Sequence, residues 1–230
     1  MTKLLPILLI LGYGLIMYLF SSWRTSRELD ARSTPLADGK LRALTERMAK
    51  AIGIDKVVVH IYEIDPVNGL AAPDGRIFIT RGFYNKYRAG EVSAEEMASV
   101  IAHELGHVAL GHTRKRMIDF SGTNAIRMAL APIFNRFLPG VGAIVANFLT
   151  TLLMARLSRD DEYEADAYAS ALLVKAGIGV EPQKSLFRKL DGLVGMGGGA
   201  PAWMLSHPKS EERIRAIEEN EARWKLAPDT

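Results

Sequence analysis

The stretch Ala102-His103-Glu104-Leu105-Gly106-His107-Val108 decides the fold prediction. It contains a His-Glu-x-x-His motif, inside a segment that we predict to be helical from Ser93 to about His112. Ser93 and Glu96 have the spacing of a capping box, which predicts where this helix starts. On a helix, two histidines four residues apart lie on one face, one turn apart, where both imidazoles can bind one metal ion. The motif therefore predicts a zinc site.

Glu104 follows the first histidine directly, so its carboxylate can contact water beside the metal instead of the metal itself. This position predicts a general base. The motif alone leaves open a helix with two surface histidines and a salt-bridging glutamate, because the pattern fixes only three positions. His112 does not decide the question: at five residues after His107 it is rotated by about 140° off the metal face. We interpret it as a solvated histidine at the helix end.

A second helix, predicted to start at Ser158, offers a better third ligand. Ser158 and Asp161 have the Ser-x-x-Asp spacing of a helix start. Glu162 and Asp166 then lie four residues apart on one side of this helix, so that Glu162 can bind metal while Asp166 orients a ligand histidine from behind. Spacing leaves open a plain acidic first turn that complements the helix dipole.

Four segments of the chain, in order, resemble the membrane-associated zinc metallopeptidases of the M48 family, which include HtpX-like heat-shock proteases and CAAX prenyl-protein endopeptidases. The matching segments are residues 68–73 with 75–77, the His-Glu-x-x-His motif, residues 158–159 with 162–166, and residues 206–208 with 211–213. The resemblance implies an α+β, mainly α, zincin-like domain with a small β-sheet. It also implies one Zn²⁺ ion with His103, His107 and Glu162 as ligands and Glu104 as the base.

The resemblance implies roles for three further residues. His207, on a loop stiffened by Pro208, is implied as the electrophilic partner of the tetrahedral intermediate; an exposed loop histidine is the alternative. Arg213 is expected, with Asp166, behind the metal ligands. Asn68 is expected to help bind substrate.

A predicted strand at residues 76–80 has a functional interpretation of its own. Zinc proteases hold the substrate backbone extended, and an edge strand beside the metal helix can do so by strand addition. We therefore predict that Ile77 and Phe78 contact substrate. A plain sheet edge remains the alternative.

Composition limits the classes of function. A chain of 230 residues can hold one domain with a substantial core, together with a membrane anchor. The net charge is +3 with acidic and basic residues interspersed, which predicts no nucleic-acid partner. The absence of cysteine excludes disulfides and thiolate zinc sites.

Two apolar segments predict contact with a lipid bilayer. Residues 4–20 carry no charge and are long enough to cross the hydrocarbon core; a cleaved signal peptide is disfavoured because residues 19–23 offer no small-x-small cleavage site. Arginines 24, 27 and 32 after this segment favour a cytoplasmic catalytic domain. Residues 137–155 are also uncharged, but Pro139 and Gly140 favour a helical hairpin over a second span.

We therefore predict a single-pass anchor at 1–22, a linker at 23–36, a peptidase domain at 37–222 with an apolar helical hairpin at 123–157, and a tail at 223–230. The predicted function is a membrane-anchored zinc endopeptidase that cleaves protein or peptide substrates in membrane or envelope protein quality control. The alternatives are a CAAX-type processing protease and a membrane-tethered chaperone or binding module with structural zinc. The sequence predicts nothing about oligomeric state.

Overall fold

A computed structural model describes residues 5–72, 74–113, 115, 142–195 and 209–226. Within these ranges the side chains of residues 5–11, 14, 142–157, 191–195 and 225–226 are left aside. The chain divides into two compact units. The first comprises residues 1–31 and 111–160, and the second comprises residues 32–110 and 161–230.

The second unit contains a four-stranded sheet. Its strands are β1 (Ser33–Pro35), β2 (Val59–Tyr62), β3 (Gly69–Ala71) and β4 (Ile77–Thr80), in the spatial order β1-β2-β4-β3. The β2 and β4 strands are parallel, whereas β1 and β3 are antiparallel to their neighbours. The predicted strand at residues 76–80 corresponds to β4, which begins one residue later, at Ile77.

The sheet order corrects the prediction about the strand at residues 76–80. Although the pair Asn68-Gly69 is a common turn sequence, Gly69 begins β3, which pairs with β4 with Gly69 opposite Ile79. Residues 77–79 of β4 are therefore paired on both sides, with β2 and with β3. The prediction that β4 is an edge strand is wrong, because β3 occupies the position beside it. Substrate cannot add to β4 at Ile77 and Phe78.

Three helices of the second unit lie before residue 111. They are α2 (Gly39–Ile52), α3 (Arg81–Arg88) and α4 (Ala94–Ala109). The predicted capping box at the start of α4 is confirmed: Glu96 N–H donates to Ser93 Oγ, and Ser93 N–H donates to the Glu96 carboxylate. The helix ends earlier than predicted, at Ala109, and Gly111 follows with a φ of 73°.

Three further helices complete the described chain: α5 (Gly142–Lys175), α6 (Glu181–Gly195) and α7 (Ser210–Leu226). The predicted helix start at Ser158 is wrong. Ser158 lies inside α5, which runs unbroken from the apolar residues into the acidic ones, so the Ser-x-x-Asp spacing there caps nothing. The predicted hairpin at 123–157 lies outside the described residues up to residue 141.

The first unit contains helix α1 (Leu5–Ala31), which covers most of the predicted anchor and linker. Within the predicted linker of residues 23–36, α1 continues to Ala31 and β1 begins two residues later. Within the part of the chain that the structure describes, no helix is long and apolar enough to cross a membrane.

The core of the second unit lies between the sheet and the helices. A single apolar cluster forms this core, and it includes residues of α2, α4, α5 and α6 and of one side of β2 and β4. The α4 helix is buried almost throughout, from Glu96 to His107, so its two histidines and its glutamate lie inside the protein. This burial excludes the alternative of two surface histidines.

Candidate metal centre

Three donor groups converge between α4 and α5 in the second unit. His103 Nε2 lies 3.1 Å from His107 Nε2, and each nitrogen lies 3.3 Å from a carboxylate oxygen of Glu162. Four ligands placed tetrahedrally at the zinc bond lengths of about 2.0–2.1 Å are separated by about 3.3 Å. The three residues therefore fit zinc, and the chemistry of the set, two imidazoles and one carboxylate, is that of catalytic zinc sites.

The approach of α5 to α4 depends on Gly106, which lies between the two histidines. A methyl group at this position would lie 3.0 Å from the backbone oxygen of Ala165 and 3.1 Å from its Cα, tighter than ordinary van der Waals contact. The absence of a side chain at Gly106 lets the backbone of α5 pass close to α4. Glu162 is thereby brought within reach of both imidazoles.

A buried ion pair lies behind His103, on the side away from the other ligands. The guanidinium of Arg213 donates from Nε to Asp166 Oδ2 and from a terminal nitrogen to Oδ1, each at 2.6 Å. His103 Nδ1 lies 2.9 Å from the same Oδ1. Asp166 and Arg213 thus lie together beside His103, one of the three candidate ligands, and their bidentate geometry is the strongest form of this pair.

The contacts among Arg213, Asp166 and His103 shift the pKa values of Asp166 and His103. Burial alone would raise the pKa of Asp166, but the charge of Arg213 and the hydrogen bonds from Arg213 and His103 outweigh it and lower the pKa to about 2. Burial alone would lower the pKa of His103, but hydrogen bonds to Asp166 and Glu162 raise it to about 9. Asp166 is therefore a permanent acceptor, which favours a proton on Nδ1 of His103 and leaves Nε2 to face the metal.

Glu104 lies against the edge strand β3. A methyl group on Gly69 would lie 3.2 Å from Glu104 Oε1 and 2.9 Å from Val100 Cγ1. Only 3% of Glu104 is exposed to solvent. The carboxylate predicted to be the base therefore lies directly beside the backbone of β3.

The other predicted site residues lie in different places. Asn68 directly precedes β3, and its side-chain oxygen accepts from the N–H of Gly69. Phe78 is fully buried and stacks on His60, and Ile77 is fully buried in the apolar core. His207 lies outside the described residues.

The prediction that His112 is solvated is also wrong, because only 3% of this residue is exposed. No role was predicted for Gly106, for Gly69, or for the residues of α6 that contact Asp166 and Arg213. The one local signal was the glycine inside the motif, since an interior helix glycine is costly unless something packs closely against it.

A mainly helical fold with a small sheet, in which two histidines and a glutamate form a candidate zinc site beside a further glutamate, is typical of zinc-dependent metallopeptidases. Comparison with known proteins identifies the family. The model of peptidase family M48 matches residues 35–221. The chain therefore belongs to the M48 family of peptidases, and it is a zinc-dependent peptide hydrolase.

Individual relatives are consistent with this assignment. Metalloprotease LoiP of Escherichia coli K12 is 32% identical over 205 residues, which cover 83% of this chain and 75% of LoiP. Metalloprotease YcaL of the same organism is 30% identical over 183 residues, covering 78% of this chain and 69% of YcaL. A protease HtpX homolog of Methanothermobacter thermautotrophicus is 29% identical over 173 residues, covering 68% of this chain and 64% of that protein.

Proposed function

We propose that this protein is a membrane-anchored zinc endopeptidase in which Glu104 is the general base and a substrate strand lies along β3. The observation that carries the proposal is the geometry around Glu104. Its carboxylate follows directly on a proposed ligand histidine and lies against the β3 backbone. It therefore adjoins both the proposed metal site and the last strand of the sheet in the described part of the chain.

The proton transfers of hydrolysis fall to Glu104. Zinc, when bound to His103, His107 and Glu162, supplies Lewis acidity that polarises the peptide carbonyl and acidifies water. Glu104 accepts a proton from the water whose oxygen attacks the carbonyl carbon, and it returns that proton to the amine nitrogen as the C–N bond breaks. We propose that His207 stabilises the negative charge that develops on the carbonyl oxygen.

The hydrogen bonds of β3 define the edge to which substrate binds. Thr80 N–H donates to Asn68 O, and Ala72 N–H donates to Arg76 O. In an antiparallel pair such hydrogen-bonded positions alternate, so the backbone groups of Gly69 and Ala71 point away from β4. An extended peptide can pair with the carbonyl of Gly69 and with the backbone groups of Ala71 by strand addition. Asn68 covers the N–H of Gly69 and thus marks one end of this edge.

The membrane anchor and the biological role are parts of the same proposal. The uncharged residues 4–20 support an anchor, and several large apolar side chains from Tyr13 to Phe20, in the second half of that segment, are exposed. We place the catalytic domain on the cytoplasmic side because of the arginines that follow. A role in the quality control of membrane or envelope proteins follows from a general endopeptidase held at a bilayer.

The experiment compares the detergent-solubilised, zinc-loaded protein with its Glu104→Gln variant on unfolded casein. We expect the variant to retain one zinc per chain and to lose at least about a hundredfold in cleavage rate, since general-base catalysis contributes that much. Equal cleavage by the two proteins would reject Glu104 as the base. A prenylated peptide, tested in parallel, distinguishes the CAAX-type alternative, which requires faster cleavage of that peptide than of casein.

A further inference from the structure

An aromatic ring supports the ion pair behind the metal site. The Cζ atom of Arg213 lies 4.1 Å from the centroid of the Phe187 ring, and both residues are buried. Phe187 lies on α6 and Arg213 on α7, so the contact joins two helices of the second unit. A guanidinium is attracted to the negative face of an aromatic ring, most strongly where water is excluded.

The position of this guanidinium affects the geometry of His103. One terminal nitrogen of Arg213 lies 2.6 Å from Asp166 Oδ1 and 3.3 Å from His103 Nδ1. When His103 binds metal through Nε2, its Nδ1 carries a proton, so both nitrogens are donors that share one acceptor oxygen. A shift of the guanidinium toward His103 brings the Arg213 nitrogen and His103 Nδ1 closer together, although both are donors. It also displaces Asp166 Oδ1, the acceptor that holds the imidazole.

A second contact connects α6 with the same aspartate. Gln183, one turn before Phe187, donates from its side-chain nitrogen to the backbone oxygen of Asp166 at 3.3 Å, and its side-chain oxygen accepts from Ser170. Residues four apart lie on one helix face, so Gln183 and Phe187 face the site together. The α6 helix thus contacts Asp166 directly and Arg213 through the ring.

We propose that Phe187 is a positioning residue for the metal site. Its ring fixes the Arg213 guanidinium in the plane in which it binds both oxygens of Asp166, and Asp166 in turn orients the His103 imidazole toward the metal. This inference rests on the proposed zinc function and adds to it a residue that contacts neither metal nor substrate.

The test measures metal binding in Phe187→Leu, with Phe83→Leu as the matched control. Phe83 is a fully buried phenylalanine of the same apolar core, but it belongs to α3. Both variants lose an aromatic ring from the core, so both are expected to lower the thermal midpoint. Only Phe187→Leu is expected to weaken zinc binding, by about tenfold, the lower end of what loss of an outer-sphere partner costs.

Zinc affinity is measured by competition with a chromogenic chelator, and the geometry of the site by the visible absorption of the Co²⁺-substituted protein. We expect an altered Co²⁺ spectrum for Phe187→Leu and an unaltered one for Phe83→Leu. Phe187→Met, which keeps a flexible apolar side chain but no ring, provides a second variant if the leucine variant does not fold. Wild-type affinity and spectrum in the folded Phe187 variants would overturn the inference, as would equal effects in the control. Failure of the wild type itself to bind zinc would instead reject the proposed function on which the inference rests.

Discussion

The two nitrogens of His103 face two differently built regions. Around Nε2 lie His107 and Glu162 at 3.1–3.3 Å, a spacing that suits ligands around a metal ion. Around Nδ1 lie Asp166 and Arg213, which bond to each other at 2.6 Å and form an ion pair without any metal. We call His107 and Glu162, with Nε2, the ligand region, and Asp166 and Arg213 the support region. The support region stabilises the fold even without metal, whereas the ligand region serves metal binding. Substitutions in the two regions should therefore fail in different ways.

The largest expected effect concerns the ligand region. Glu162→Ala removes one of the three proposed ligands, so zinc affinity is expected to fall by at least about a thousandfold, beyond the roughly 10–100-fold that loss of an outer-sphere partner costs. Chelator competition and metal content by mass spectrometry measure it. Glu218→Ala, which removes an exposed carboxylate from α7, controls for the charge change. Stoichiometric zinc in Glu162→Ala would show that this glutamate is not a ligand.

The support region is expected to fail through the fold. Arg213→Ala leaves the buried carboxylate of Asp166 without its bidentate partner, and breaking a buried pair in this way costs about 3–5 kcal/mol of unfolding free energy. Urea unfolding of the metal-free protein measures the loss. Arg215→Ala, on an exposed face of the same helix, serves as the control. If Arg213→Ala lowers zinc affinity but leaves metal-free stability unchanged, the two regions are not distinct.

Acid unfolding sharpens the same distinction. The pKa of Asp166 is lowered to about 2, below that of an unfolded-state aspartate, so the native state binds fewer protons at low pH. Its contribution, about 2 kcal/mol, is present above about pH 4 and is lost as the pH falls toward 2. Asp166→Asn should therefore flatten the dependence of unfolding free energy on pH in that window. An unchanged slope would contradict the role of Asp166 as a stabilised anion.

The ligand region was predictable from a local signal and from the family resemblance together. The helical spacing of His103 and His107 places both on one face. The spacing of Glu162 and Asp166 also fits a plain acidic first turn, so Glu162 was expected as the third ligand because of the resemblance to the M48 family. The structure brings His103, His107 and Glu162 together as candidate metal ligands, as expected. The capping box that starts α4 depends on four consecutive residues and was equally readable.

The remaining features depend on contacts distant in sequence. The strand β3 has only three residues, too few for an alternating pattern, and Asn68-Gly69 resembles a turn. The interior position of β4 follows from sheet order, which no single strand encodes. The stacking of Arg213 on Phe187 joins two helices, and nothing near either residue predicts it.

The smallest expected effect compares two serines that share a capping spacing. Ser93 caps α4 through the Glu96 N–H, so Ser93→Ala is expected to cost about 1 kcal/mol of unfolding free energy. Ser158 lies inside α5, where alanine has the higher helix propensity, so Ser158→Ala is expected to cost nothing. Urea unfolding of the two variants measures the difference. An equal loss of unfolding free energy in both variants would mean that a helix begins at Ser158. It would contradict a continuous α5 helix through that residue.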